Sequence, residues 1–225
     1  MNTLAASLLQ IKAVRLQPDS PFTWASGWLS PIYCDNRKVN SYPAVRTWVK
    51  QELTHTILTR FPEAQAVAGV ATGAIAQGAL VADALALPFV YVRPKPKDHG
   101  MGNQIEGELA PGTKVIVVED LISTGSSSLK AVEALRAAGL EVVGMVASFT
   151  YGFDIASEAF LKAGVQLVTL TDYDHVIAVA ATTGYISDAD TDVLRAWRLN
   201  PAEWGRAEVS NGAGADSVAP VPGPA

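Results

Sequence analysis

Residues 115–128 read VIVVEDLISTGSSS, and few segments constrain a fold so tightly. Val115, Ile116, Val117 and Val118 make a short buried β-strand. It runs straight into two adjacent acids, Glu119 and Asp120. A turn of small residues follows, Ser123-Thr124-Gly125-Ser126-Ser127, and then an amphipathic helix from Leu129 to Ala138. Such a turn lets backbone N–H groups close around a phosphate. The start of the next helix adds unpaired donors and the positive end of its dipole. Two acids at the carboxyl end of a strand accept hydrogen bonds from vicinal hydroxyls. Phosphate on one side and a diol on the other describe a phosphorylated ribose. A capped helix after a charged turn would also explain Thr124 or Ser126 as N-cap. Acids at a helix start are worth only about 0.3–1 kcal/mol, and capping does not account for the pair at a strand end. No lysine follows the glycine turn as in a Walker A loop, and the spaced glycines of a dinucleotide site are missing.

The rest of the chain alternates helix and strand. Leu4, Leu8, Ile11 and Leu16 fall near one face and predict a helix over 4–16. Phe22 to Arg37 mixes aromatics with Gly27 and Pro31 and reads as a hairpin or extended arm. Pro43 suits the first turn of a helix ending at Phe61, with Val45, Trp48, Val49, Leu53 and Ile57 on its buried stripe. Strands are expected at 66–70, 89–92, 114–118, 141–150 and 165–170. Helices are expected at 75–87, 129–138, 155–163, 173–181 and 189–198. Such alternation argues for an α/β fold with a mainly parallel central sheet, flanked by helices joined through right-handed crossovers. Arg93 to Leu109 lacks an apolar period and reads as a long functional loop. One domain over 1–207 is expected, with a disordered tail over 208–225 rich in Asn, Gly, Ala, Ser and Pro.

The net charge of −5 gives no basic footprint for nucleic acid. No run reaches the roughly 18 apolar residues that span a bilayer. Met1 to Gln10 carries no basic start of a signal peptide, so a cytoplasmic location is expected. Cys34 is the only cysteine, which excludes an intrachain disulfide and a cysteine-rich zinc site. Trp24 and Trp28 suit a base pocket, a dimer face or ordinary core packing equally.

The 115–128 segment resembles the phosphoribosyl pyrophosphate signature of the type I phosphoribosyltransferases. Three segments together, FTWASGWLSPIYCDNR, YVRPKPKDHGMGNQIEG and EDLISTGSSS, are similar to the orotate phosphoribosyltransferases of that family. The resemblance implies the type I fold with a small hood or arm built largely from the N-terminal region. It also implies transfer of phosphoribose from phosphoribosyl pyrophosphate to orotate, a need for Mg2+, and a homodimer. Arg93, Lys97 and His99 match a motif R-x3-K-D-H-G whose groups meet pyrophosphate, on a loop that reaches the neighbouring subunit's site. With Asp120 they are the residues expected to carry catalysis. Glu119 and Asp120 are expected on the ribose hydroxyls, and Thr124, Gly125, Ser126 and Ser127 around the 5′-phosphate. Leu121 and Ile122 belong to the same binding segment, and Ser123 to the orotate side. No direct protein ligand is implied for Mg2+, which would be held by pyrophosphate, ribose hydroxyls and water.

Several positions depart from the family pattern. Trp24-Ala25, Leu29, Thr72-Gly73 and Arg93-Pro94 stand where basic residues are common, and no arginine occurs from Phe149 to Phe153. Arg37, Lys38 and the backbone N–H groups of Ala71 to Ala74 are the candidates for the orotate carboxylate. Two other readings share the ribose-phosphate motif: a transferase for a purine or another base, and a non-catalytic regulator that senses phosphoribosyl pyrophosphate.

Overall fold

The computed structural model describes residues 3–24, 26–95 and 104–205. In chain order the elements are α1 (Thr3–Gln10), β1 (Val14–Leu16), β2 (Phe22–Thr23), β3 (Leu29–Ser30) and β4 (Ile32–Cys34). A 3-10 turn, Asn36–Ser41, leads to α2 (Pro43–Arg60), β5 (Ala66–Val70), α3 (Ile75–Leu85), β6 (Phe89–Val92) and β7 (Ile105–Glu106). Then come β8 (Lys114–Ile122), α4 (Ser126–Ala137), β9 (Glu141–Thr150), α5 (Asp154–Lys162), β10 (Leu167–Asp172), α6 (Tyr173–Thr182) and α7 (Asp188–Leu199). The chain forms two units, one over Asn36–Tyr173 and one from Met1–Asp35 with Asp174–Ala225.

The unit over Asn36–Tyr173 holds a six-stranded sheet in the order β10-β9-β8-β5-β6-β7. Five strands are parallel, and β7 adds antiparallel to β6 at one edge. All five residues of β5 are buried, as a central strand covered on both faces requires. From β5 the chain moves out to β6, then returns past β5 to β8 and continues to β9 and β10. The strand order therefore reverses between β5 and β8. In such sheets that reversal opens a crevice at the carboxyl ends of the two strands.

Helix α2 buries Val49, Leu53 and Ile57 at helical spacing. It stops at Phe61, whose ring lies directly on Gly144 of β9. A Cβ at Gly144 would sit 2.7 Å from Phe61 Cζ, with other ring atoms also in conflict. Phe61 is 1% exposed, so the ring has nowhere to go. Gly144→Ala is expected to destabilise by about 1–3 kcal/mol through overpacking. A urea midpoint equal to the parent's would show that the ring yields freely.

In the other unit, β1 pairs antiparallel with β4 and β2 with β3. Of Phe22 to Arg37, expected as a hairpin or extended arm, Phe22–Thr23 and Leu29–Ser30 form a hairpin while Ile32–Cys34 pairs with β1, and the unit also draws on α7 and most of α6 from the far end of the chain. Trp197 explains why. It is fully buried, donates from Nε1 to the Leu29 carbonyl at 3.1 Å, and meets Trp24 edge-on at 5.7 Å. Trp24, which is buried, donates in turn to the Ile32 carbonyl and stacks on the half-buried Trp28. Ala25 lies outside the described residues.

Four expected boundaries shift. The first helix ends at Gln10 rather than Leu16 because Lys12 adopts φ 55°, and Ala13 N–H and Lys12 N–H bond back to the Leu8 and Leu9 carbonyls. That is a Schellman closure made without glycine. Within the 93–109 loop, Ile105 and Glu106 pair with β6. Strand β8 continues through both acids to Ile122, because β9 stays in register beside it as far as Thr150. Helix α4 starts at Ser126 with Gly125 as N-cap and no side-chain cap, so neither Thr124 nor Ser126 plays that part.

Candidate functional site

The two acids of β8 have different surroundings. Glu119 shares a strand face with Val115 and Val117 and turns toward α4. Its Oε2 accepts from Ser128 Oγ at 2.8 Å and its Oε1 from the Asp120 backbone N–H at 2.9 Å. Glu119 is 5% exposed and Ser128 is 1% exposed. Burial, and then the negative charge of Asp120, hold the Glu119 carboxyl well above the usual carboxylate range. Asp120 is half-buried and faces the turn that precedes α3. The two acids expected on the ribose hydroxyls thus differ in setting: Glu119 is buried against Ser128 of α4, and Asp120 is half-buried opposite Gly73.

The buried acid makes stability depend on pH. A raised pKa means that the folded state holds the proton more tightly than the unfolded chain does. That contribution is complete below the unfolded value of about 4.3 and is lost as pH rises through the folded value. Glu119→Gln keeps an acceptor for the Asp120 N–H, and the Ser128 hydroxyl can turn to accept from the amide. The variant is expected to melt a few degrees above the parent at pH 8, with the gap closing toward pH 5. A gap that widens on acidification would oppose this account.

Asp120 is held from two sides. The Asn36 side chain donates to its carbonyl at 2.6 Å, anchoring the 3-10 turn to the end of β8. Across the crevice, Gly73 presents its bare Cα to the carboxylate, and a Cβ there would overlap the carboxylate atoms. Gly73 belongs to the Ala71–Ala74 turn after β5, in which the Ala71–Thr72 peptide is cis. Ala71 N–H donates to the Val92 carbonyl, which ties this turn to the end of β6.

The segment after β8 closes the other wall. Leu121 and Ile122 are buried hydrophobic residues, so any contact they offer a ligand comes from backbone. Ser123 and Thr124 are half-buried, Ser126 is exposed, and Ser127 is half-buried. Gly125 has φ 79°, and a Cβ on it would stand 2.8 Å from the Phe160 ring. Backbone conformation and packing thus both demand glycine here. The first N–H groups of α4 then open onto the same edge as Asp120.

Arg93 follows directly on β6. Its N–H donates to the Gln104 carbonyl at 2.8 Å, and Gln104 Nε2 donates back to the Arg93 carbonyl at 2.9 Å. Its guanidinium lies 3.6 Å from a Glu106 carboxylate oxygen. With β5 between β6 and β8, Val92 is level with Val70 and Gly69 with Val118, so the backbones at Arg93 and Asp120 are about 10 Å apart. That distance suits a ligand with an anion at one end and a phosphorylated sugar at the other. Arg37 and Lys38 are exposed on the turn anchored by Asn36. Lys97 and His99 lie outside the described residues. Among the described residues, no cluster of three His, Cys, Asp or Glu side chains could hold a metal. No helix among them is long and apolar enough to cross a membrane. Asn36, Gly73, Gln104, Glu106 and Ser128 all stand in segments that the sequence reading singled out, but the contacts they make here carry no signal in the sequence.

The family model for the phosphoribosyl transferase domain matches residues 34–178. An orotate phosphoribosyltransferase of Bacteroides thetaiotaomicron is 66% identical over 200 residues, which are 89% of this chain and 94% of that protein. The chain belongs to the orotate phosphoribosyltransferase family. A Listeria monocytogenes member is 53% identical over 203 residues, 90% of this chain and 97% of its own. Among solved structures, the orotate phosphoribosyltransferase of Aeropyrum pernix superposes with a TM-score of 0.71 at 30% identity, covering 82% of this chain and 99% of that one. The UMP synthase of Leishmania donovani gives 0.74 at 29% identity, covering 88% of this chain and 42% of that one. The transferase fold expected from the 115–128 motif is therefore present, with its mainly parallel sheet and flanking helices.

Proposed function

We propose that the protein transfers the 5-phosphoribosyl group of phosphoribosyl pyrophosphate to orotate, giving orotidine 5′-phosphate and pyrophosphate. One observation carries this reading: Asp120, the Gly73 turn and the Gly125 turn converge where the strand order reverses. An orotate ring nitrogen forms a bond to C1′ as the bond from C1′ to the pyrophosphate oxygen breaks, and the electron pair leaves with pyrophosphate. Asp120 accepts from the ribose hydroxyls and opposes the positive charge that grows on the sugar ring. The turn from Ser123 to Ser127 holds the 5′-phosphate by backbone N–H groups. Arg93, with Lys97 and His99, balances the charge of the departing pyrophosphate. Orientation of the two reactants supplies much of the remaining acceleration. Arg37 or Lys38 meets the orotate carboxylate.

Mg2+ fits this donor set. It keeps water and binds largely through substrate phosphates, so pyrophosphate, the ribose hydroxyls and water would hold it, with the half-buried acid Asp120 able to assist. When bound it would neutralise pyrophosphate charge. A homodimer is part of the same proposal, with the Lys97 loop serving the partner's site, as is a cytoplasmic setting. Catalysis is proposed to need only residues 1–207, because 208–225 carry few large apolar side chains to anchor them; truncation after Ala207 should leave turnover within about twofold.

The decisive experiment incubates purified protein with orotate and follows its absorbance. Loss of orotate should require both phosphoribosyl pyrophosphate and Mg2+. Turnover of adenine or guanine but not orotate would assign another base, and binding without turnover of any base would favour the sensor.

A further inference from the structure

We infer that Glu106 is a built-in competitor for Arg93, placed to weaken the enzyme's hold on pyrophosphate and so to speed its release. The inference rests on reading Arg93 as a pyrophosphate-binding cation. Three observations place Glu106 in this part. First, β6 and β7 are in fixed register, with Tyr91 opposite Glu106 and Val92 opposite Ile105. Second, the backbone at Arg93 is clasped by Gln104 through two hydrogen bonds, so the root of the arginine cannot drift from β7. Third, the guanidinium and the Glu106 carboxylate are 3.6 Å apart, with side chains 34% and 24% exposed.

That distance is short enough for strong charge coupling and too long for a hydrogen bond. Arg93 Nη1 is buried with no hydrogen-bond acceptor. The pair is thus a loose one, in which the guanidinium is partly neutralised while Nη1 makes no hydrogen bond to the carboxylate. A phosphate oxygen that reaches Arg93 hydrogen-bonds to the guanidinium. It also enters the field of Glu106, whose negative charge opposes it. Product release limits turnover in many enzymes. A fixed carboxylate beside the main cation lowers affinity for the leaving anion without removing the cation that the transition state needs.

The test measures pyrophosphate binding by calorimetry in the presence of Mg2+, with the full chain. Glu106→Gln removes the charge and keeps the shape, and should tighten pyrophosphate about fivefold, the scale of one partly screened charge a few ångströms from the ligand. Glu106→Asp keeps the charge but withdraws it, and should tighten binding by less. Glu108→Gln, an exposed acid two residues on, controls for net charge and should change Kd by less than about twofold. In an Arg93→Gln background pyrophosphate should bind more weakly, and Glu106→Gln should tighten it by less than in the parent, because competition for the guanidinium is gone and only the direct field of the acid is left. Unchanged or weaker binding in Glu106→Gln, or an equal gain in Glu108→Gln, overturns the inference. If Glu106→Gln melts early, Glu106→Asp and the Arg93 background decide the matter. If Arg93→Gln binds pyrophosphate as well as the parent does, the assignment of Arg93 fails instead.

Discussion

Replacing Gly73 by alanine is expected to lower kcat/KM about 100-fold while shifting Tm by no more than a degree or two. The argument joins local geometry to catalysis. Gly73 does not have a positive φ, so its backbone accepts an alanine. The added methyl would land on the Asp120 carboxylate across the crevice. That carboxylate ends a short, half-buried side chain, and making room for the methyl means turning it. Its new position would no longer suit the ribose, and a displacement near 1 Å in a reacting group can cost about 100-fold in rate. Asp120→Asn should cause a loss of similar size with the geometry intact. The double variant should be no worse than the worse single one, since both remove the same contact. A Gly73→Ala enzyme with parental kcat/KM would show that Asp120 does not need its seat, and the Asp120 assignment would weaken with it.

The part of the fold that was legible from sequence is the part with sharp local punctuation. Ala66–Val70, Phe89–Val92 and Glu141–Thr150 are apolar strands bounded by turns or proline, and the structure gives them the expected limits. Pro43 and the stripe of Val49, Leu53 and Ile57 likewise define α2. Illegible features depend on distant partners. Ile105–Glu106 becomes a strand only because β6 offers an edge, and Val14–Leu16 only because β4 does. The end of the first helix was hidden because Lys12 takes a conformation that glycine usually announces. At the site, the acids, the glycine turn and Arg93 are visible as a motif. The division of labour between the acids is not, since it follows from which face of β8 meets Ser128 and which meets Gly73. No spacing rule marks Gly73 itself, which stands 47 residues before the carboxylate it accommodates (120 − 73).

Mixing Lys97→Ala and Asp120→Asn proteins, each nearly inactive, is expected to restore about a quarter of parental activity. Arg93 and Gln104, which flank residues 94–103 in the sequence, are bonded to each other. Ten residues closed in this way extend at most about 16 Å from that root, five residues out and five back. Asp120 is about 10 Å away across two strand spacings, so reach alone permits Lys97 to serve its own site and does not by itself assign it to a partner's. The homodimer proposed above makes the alternatives separable. If the loop acts across the interface, a mixed dimer places the sound Lys97 of the Asp120→Asn subunit over the sound Asp120 of the Lys97→Ala subunit. The second site then carries both defects. Random exchange makes half of the dimers mixed, with one working site in two, which gives about one quarter of full activity. If Lys97 closes over its own Asp120, every site in the mixed dimer has one defect and no activity returns. Subunit exchange must be confirmed independently, for instance by recovering a tagged subunit together with an untagged one. With exchange confirmed, failure to recover activity would place Lys97 in its own subunit's site and leave the ribose-phosphate assignment of Asp120 standing.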